Sequence, residues 1–463
     1  MIKQSIRSTI EQYMLDHHIN LSAFAKLSGV NRGMISKMLN GNPPESCSVT
    51  QLDLLTQAMD LQAGELYPLY VNESMSEQLH WRRAKPFLLR CAELHRLDCL
   101  EQMVELISED QKHVSWLFTT AEELFALQYM DAAAILYEAT VEIDQTKFSE
   151  RLIMSYYRLF KIYNSDPKRG FEAALQFIPY RIHLPEHYAL DGLIMLADTY
   201  AIREDWEKVE KYADELRKLA KGIYRTKSWQ SESFKPLRPL VYYYAQGYLY
   251  KGSSYEQRQM FNENKICISE YSDLSWFEGL EEEGEQIVKR FKIYAEGNYL
   301  INELKFGKFI MIPKYIDFII KYPSEILDGL ITLIDTANKF KIFIDSELQQ
   351  LSDYIEKIDE FSNVSNPEGI SYSETIQNYR YSAFFKKYGI YLLRKKEYSK
   401  AIKNILKSLE ISVNISNNDR MINSTMILFE MNRDNSSDLQ KAIYSDICRE
   451  VLQNEKEDYY EFV

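Results

Sequence analysis

Residues 21–41 read LSAFAKLSGVNRGMISKMLNG, and the reading of this stretch fixes the N-terminal fold. Asn20 offers an N-cap to a short helix from Leu21 to Ser28, and Gly29 ends that helix because glycine takes the left-handed turn conformation without penalty. Val30 is the buried residue of the turn. Asn31 caps a third helix, Arg32 to Leu39, with Ile35 and Leu39 facing inward and Arg32, Gly33, Ser36 and Lys37 left outside. Asn40-Gly41 closes it. Upstream, Ile6, Ile10, Tyr13 and Met14 recur at helical spacing and predict a first helix reaching His17. Downstream, VTQLDLLTQAMDLQAGELY at residues 49–67 predicts two more short helices, Val49 to Met59 and Ala63 to Leu69.

Small Ala25, turn residue Gly29, apolar Val30 and Ile35, the Asn40-Gly41 ending and the trailing leucine-rich helices together resemble the Cro/C1-type helix-turn-helix of phage repressors and related bacterial regulators. The resemblance implies that the exposed start of the third helix enters the major groove of a double-stranded DNA operator. Carried over residue by residue, Arg32 occupies the first base-reading position, Gly33, Ser36 and Lys37 lie along the groove-facing side, Asn40 would touch phosphate, and the capping Asn31 is counted with them among the DNA-binding residues. An arginine there can bond guanine O6 and N7 in a bidentate way, and Lys37 can neutralise a phosphate. Leu21 departs from the family pattern, which often has a polar phosphate-contacting residue at that place.

Beyond Tyr70 the pattern is helical, with amphipathic segments divided by short polar breaks at Asp166-Pro167, Ser362 to Gly369 and Asn432 to Ser437. Helices are expected to begin near Ser76, Lys112, Ser149, Leu184, Asp205, Pro236, Glu281, Ser324, Ser346, Ser373, Lys400, Asp419 and Ser437. Two segments share an internal arrangement. In LIMLADTYAIREDWEKVEKYADEL small Ala197 marks a helix crossing and Trp206 and Val209 open the partner helix; FFKKYGIYLLRKKEYSKAIKNILKSLEIS repeats this with Gly389, Tyr398 and Ala401. Weaker echoes lie at Ala121 with Met130 and Ala133, and at Phe171 with Ala174. These resemble tetratricopeptide repeats, which implies a right-handed superhelix with a concave groove for an extended peptide. If Gly297 is another crossing residue, Asn298 and Asn302 project together into that groove. By the same register Tyr244, Tyr248 and Lys251 near Gly247, and Lys386 and Arg394 near Gly389, would line it.

The expected fold is therefore all-α: a five-helix helix-turn-helix domain at 1–70 followed by tetratricopeptide-like helix pairs at 71–463 that bind peptide and dimerise. Composition agrees with a folded, helix-rich chain: 46% hydrophobic, 27% charged, 16 Gly and 12 Pro in 463 residues. The 34 Tyr and 22 Phe suit helix packing. A net charge of -13 confines any DNA contact to a local patch, and residues 1–70 hold five Lys/Arg against six acids, so the placement of those charges decides. No signal peptide or membrane span is read, placing the protein in the cytoplasm. Cys47, Cys91, Cys99, Cys267 and Cys448 are scattered and never spaced as CxxC, so they read as reduced, mostly buried thiols.

The combination resembles the peptide-pheromone receptors of Gram-positive bacteria and their phages, the PlcR, Rgg, NprR, PrgX and arbitrium-receptor group. It implies a homodimeric quorum-sensing regulator gated by a short signalling peptide, with no cofactor, metal or membrane partner. Two other readings stand beside it: a helical-repeat protein that sequesters a protein partner, and a ligand-independent immunity-type repressor. An enzyme is not expected, since no P-loop, GxGxxG or GxSxG motif occurs. His183-Leu184-Pro185-Glu186-His187 matches HxxEH formally, but Pro185 would begin the helix and separate the two histidines.

Overall fold

Side-chain caps set the first helices. The Ser5 hydroxyl accepts from the Ser8 amide at the start of α1 (Ile6–Asp16), Asn20 Oδ1 from the Ala23 amide at α2 (Leu21–Ser28), and Asn31 Oδ1 from the Gly33 amide at α3 (Arg32–Asn40). Ser48 and Gln51 form a reciprocal capping box at α4 (Val49–Ala58). The computed structural model describes residues 5–41, 47–74, 81–166, 169–361, 374–413 and 419–460, and every regular element among them is helical. The expected loop at Ser362 to Gly369, the helix starts at Ser76 and Ser373, and Pro167 lie outside the described residues.

The chain divides into two compact units, Met1–Arg203 with Glu232–Pro236, and Glu204–Ser231 with Leu237–Val463. In the first, α1 to α4 are followed by α5 (Tyr67–Ser74), α6 (Trp81–Glu93), α7 (Leu97–Ser108), α8 (Val114–Ala126), α9 (Met130–Ile143), α10 (Glu150–Tyr163), α11 (Arg169–Phe177) and α12 (Glu186–Ile202). The helix expected from Ala63 begins instead at Tyr67. Gly64 has φ 78° and the Glu65 carboxylate accepts from the Gln62 amide at 2.9 Å, so the chain turns there before the next helix starts.

One apolar core runs without a break from Ile6 in α1 to Leu159 in α10. The Phe87 ring of α6 lies 5.0 Å from Tyr67 and 4.9 Å from Tyr70. Around it, Asp53 accepts from the Tyr67 hydroxyl at 2.8 Å and from Arg90 Nε at 2.9 Å, and Arg96 Nη1 donates to the Gly64 carbonyl at 2.5 Å. The apolar core thus continues past residue 70. Further along, α8 packs on α9, with Ala121 and Ala133 fully buried, α9 on α10, and α10 on α11.

The second unit holds α13 (Trp206–Thr226), α14 (Leu240–Gln257), α15 (Phe261–Ser272), α16 (Glu282–Lys305), α17 (Ile312–Lys321), α18 (Ile326–Phe340), α19 (Asp345–Gln350), α20 (Ser352–Phe361), α21 (Glu374–Arg394), α22 (Tyr398–Val413), α23 (Asp419–Glu430) and α24 (Asp438–Tyr460). Neighbours in sequence pack on one another from α13 to α18, and α21 packs on both α18 and α22. The three glycines read as crossing residues are sites of close approach. A Cβ at Gly247 would lie 2.5 Å from Arg217 Cγ of α13, one at Gly297 2.6 Å from Phe318 Cζ of α17, and one at Gly389 2.8 Å from Ile405 Cγ1 of α22. The segment around Ala197 behaves differently: its two helices, α12 and α13, belong to different units, and α13 packs on α14.

Candidate nucleic-acid interface

The geometry at α2 and α3 follows from a few buried side chains. Phe24 and Ile35 are fully buried, Val30 and Leu39 nearly so, and they seat α3 against α1 and α2. Met38, which the sequence reading did not place inside, is buried as well. Gly29 turns the chain with φ 67°, and the buried Ser28 hydroxyl accepts from the Val30 amide at 3.3 Å. With that face fixed inward, Asn31, Arg32, Gly33, Lys37 and Asn40 are exposed and Ser36 is half-buried, so all six residues expected at DNA lie off the core.

Electrostatics favour an anionic partner at this face. Between Asn20 and Gly41 the chain carries Lys26, Arg32 and Lys37 and no Asp or Glu. Arg32 makes no ion pair among the described residues, which leaves its five donors available. Asn31 uses its Oδ1 to cap α3 and keeps the amide nitrogen for an outside acceptor. Lys26 was missed by the sequence reading; the absence of acids over twenty-two residues was the signal that could have found it. The six acids of residues 1–70 all lie outside 20–41, and Asp53 is tied to Tyr67 and Arg90.

Residues 9–70 match the family model of the Cro/C1-type HTH DNA-binding domain. The N-terminal module is a helix-turn-helix of that type. The match ends at residue 70 of 463, and among curated proteins none matches the chain. The match runs from within α1 to within α5, and its third helix is the one whose exposed face carries Arg32 and Lys37.

The residues expected to line a peptide groove lie in the second unit. Asn302 is 2% exposed and its amide accepts from Asn264 Nδ2 at 3.0 Å and donates to the Phe261 carbonyl at 3.1 Å. Asn298 donates to the Tyr271 hydroxyl at 3.0 Å. Both asparagines thus bond to α15, Asn302 buried and Asn298 half-buried. Tyr244 and Tyr248 are buried, with Tyr244 among Trp276 and Phe277 and Arg217 stacked 3.9 Å over Tyr248. Lys251 is held by Asp214 at 2.8 Å, Lys386 donates to Ser424, and Arg394 donates to the Ala337 and Ile342 carbonyls at 2.7 and 3.2 Å. All seven side chains are engaged within the unit; Tyr244, Tyr248 and Asn302 are buried, and Lys251, Asn298, Lys386 and Arg394 are half-buried.

His183 lies in a single 3-10 turn and His187 in α12, with extended Leu184 and Pro185 between, so they do not share a helical face. Four of the five cysteines are buried and all are free thiols. Burial pushes Cys47 up to about 12, and Cys99 and Cys267 up to about 11, which keeps these thiols protonated. Among the described residues no helix is long and apolar enough to cross a membrane.

Proposed function

We propose that the chain is a cytoplasmic transcriptional regulator that reads a DNA operator through α3 and is gated by a short signalling peptide received by its helix pairs. The observation that carries the DNA half is the capped, acid-free face of α2 and α3 with Arg32 exposed and, among the described residues, without an ion pair. Arg32 reads a guanine edge, Lys37 and Asn40 position the backbone, and Asn31 Nδ2 reaches the same groove. One such helix makes few base contacts, and two copies on two half-sites supply the missing affinity by multivalency, so the working form is a homodimer. The function requires no catalytic group or cofactor.

Support for peptide gating comes from the succession of helix pairs beyond α5 and from the resemblance in architecture. A second reading has its own support. Because all seven expected groove residues are engaged within their unit, a ligand-independent repressor, whose helical array serves assembly alone, fits them equally. Fluorescence anisotropy of the full chain on its own upstream DNA, with and without synthetic peptides from neighbouring short reading frames, separates the two. A peptide-dependent change in affinity is expected. Tight DNA binding indifferent to every peptide would favour the repressor.

A further inference from the structure

A cavity of about 710 Å3 opens between α15, α16 and α17. Its walls are built firmly. The Asn264–Asn302 and Asn298–Tyr271 hydrogen bonds lock α15 to α16, and Gly297, lacking a side chain, lets the Phe318 ring settle on α16. The floor is apolar, formed by buried Ile268, Ala295, Leu300 and Phe318. The rim is cationic: Lys265, Lys292, Lys314 and Lys321 face only two carboxylates, Glu296 and Asp317. In a chain of net charge -13 this recess carries an excess of two positive charges. Lys265 is shared with Glu303 at 3.4 Å, whereas Lys292, Lys314 and Lys321 are exposed and make no ion pair among the described residues.

An apolar floor under a lysine rim selects an amphipathic anion. The volume falls within the range of small-ligand sites, which excludes a duplex. A single nucleic-acid strand needs aromatic faces for its bases, and Phe318 is buried with its ring against Gly297 and Tyr322, leaving Tyr299 as the one half-buried ring in the lining. An extended peptide suits better, because successive side chains point to opposite sides and can send apolar groups to the floor and carboxylates to the rim. We infer that this recess binds a short extended peptide with alternating apolar and acidic side chains, its carboxylates paired with Lys292, Lys314 and Lys321. The inference rests on the peptide-gated reading and supplies the ligand chemistry that reading leaves open.

The test titrates the full chain into a fluorescein-labelled pool of hexapeptides drawn from Leu, Phe, Val, Asp and Glu, and into the matched pool with Asn and Gln replacing the acids. Anisotropy is expected to report binding of the acidic pool about tenfold or more tighter than the amide pool. Lys314→Glu combined with Lys321→Glu should weaken the acidic pool by a similar factor with an unchanged circular dichroism melt, since both side chains are exposed. No binding, equal binding of both pools, or binding indifferent to the two lysine changes would overturn the inference. So would tighter, lysine-dependent binding of a single-stranded oligothymidylate. Lysine-dependent acidic binding that leaves DNA affinity unchanged would keep this site and remove the gating. A DNA response to the amide pool that ignores the lysines would keep the gating and remove this site.

Discussion

Asn302 spends both ends of its amide on the contact between α15 and α16, accepting from the Asn264 amide and donating to the Phe261 carbonyl. Asn302→Ala is expected to destabilise the chain by about 1–3 kcal/mol, the cost of stranding buried polar groups, measured as a shift in the urea midpoint. An unshifted midpoint would mean the amide is dispensable. The four-residue spacing of Asn298 and Asn302 told which residues share a helix face; it held no information on what that face meets, which is set by α15 far away in sequence. Asp98 makes a pH-dependent case. Its hydrogen bonds from the Arg96 guanidinium, at 2.9 and 2.7 Å, hold its carboxyl at about 2, below its usual 3.8. A depressed folded-state value means stabilisation that is complete above 3.8 and lost as pH falls through about 2. The difference in urea midpoint between wild type and Asp98→Asn should therefore be constant near neutral pH and close across that window. A gap that persists below pH 2 would show that the pairing is not its source.

At the scale of elements, the sequence was most legible where one residue type has one use. Asn20, Gly29 and Asn31 announce the ends of α2 and α3 because capping and left-handed turns admit few alternatives. The start of α5 was less legible, since the apolar rhythm runs through Gly64 while the backbone turns there with φ 78°. Crossing glycines were legible too, as at Gly389 on α22, but small Ala197 did not reveal which helix would be its neighbour. Two substitutions separate these roles. Gly389→Ala places a Cβ 2.8 Å from Ile405 Cγ1 and 3.2 Å from the Ala401 carbonyl and should cost about 1–3 kcal/mol. Gly222→Ala in α13 meets nothing within 4 Å and should stabilise by about 0.5–1 kcal/mol, the ordinary helix preference for alanine. Calorimetric melts giving the same sign for both would contradict the crossing assigned to Gly389.

Over the whole molecule, the helix-turn-helix motif ends at residue 70 but its core does not, because Tyr67 and Tyr70 close on Phe87 of α6 and the apolar cluster continues into α10. A motif boundary is readable from local spacing, whereas a core boundary depends on which rings meet. Phe87→Ala, at a fully buried position, is expected to cost about 3–5 kcal/mol and to raise amide exchange in α1 to α5 as well as in α6. Unchanged protection of α1 to α5 would mean that the DNA-binding module folds independently. The net charge of -13 likewise gave no hint of a DNA contact, since the deciding fact is local: three cations and no acid between Asn20 and Gly41. The most direct measurement is fluorescence anisotropy of the full chain, wild type against Arg32→Ala, on duplexes enriched by the wild-type protein from a random pool. A shared motif in two half-sites about 10 base pairs apart is expected, with a loss of about 1–3 kcal/mol in the variant confined to the matched guanine position. Failure to enrich any motif, or equal affinity of the two proteins for it, would contradict the assignment of α3 as the DNA-reading helix.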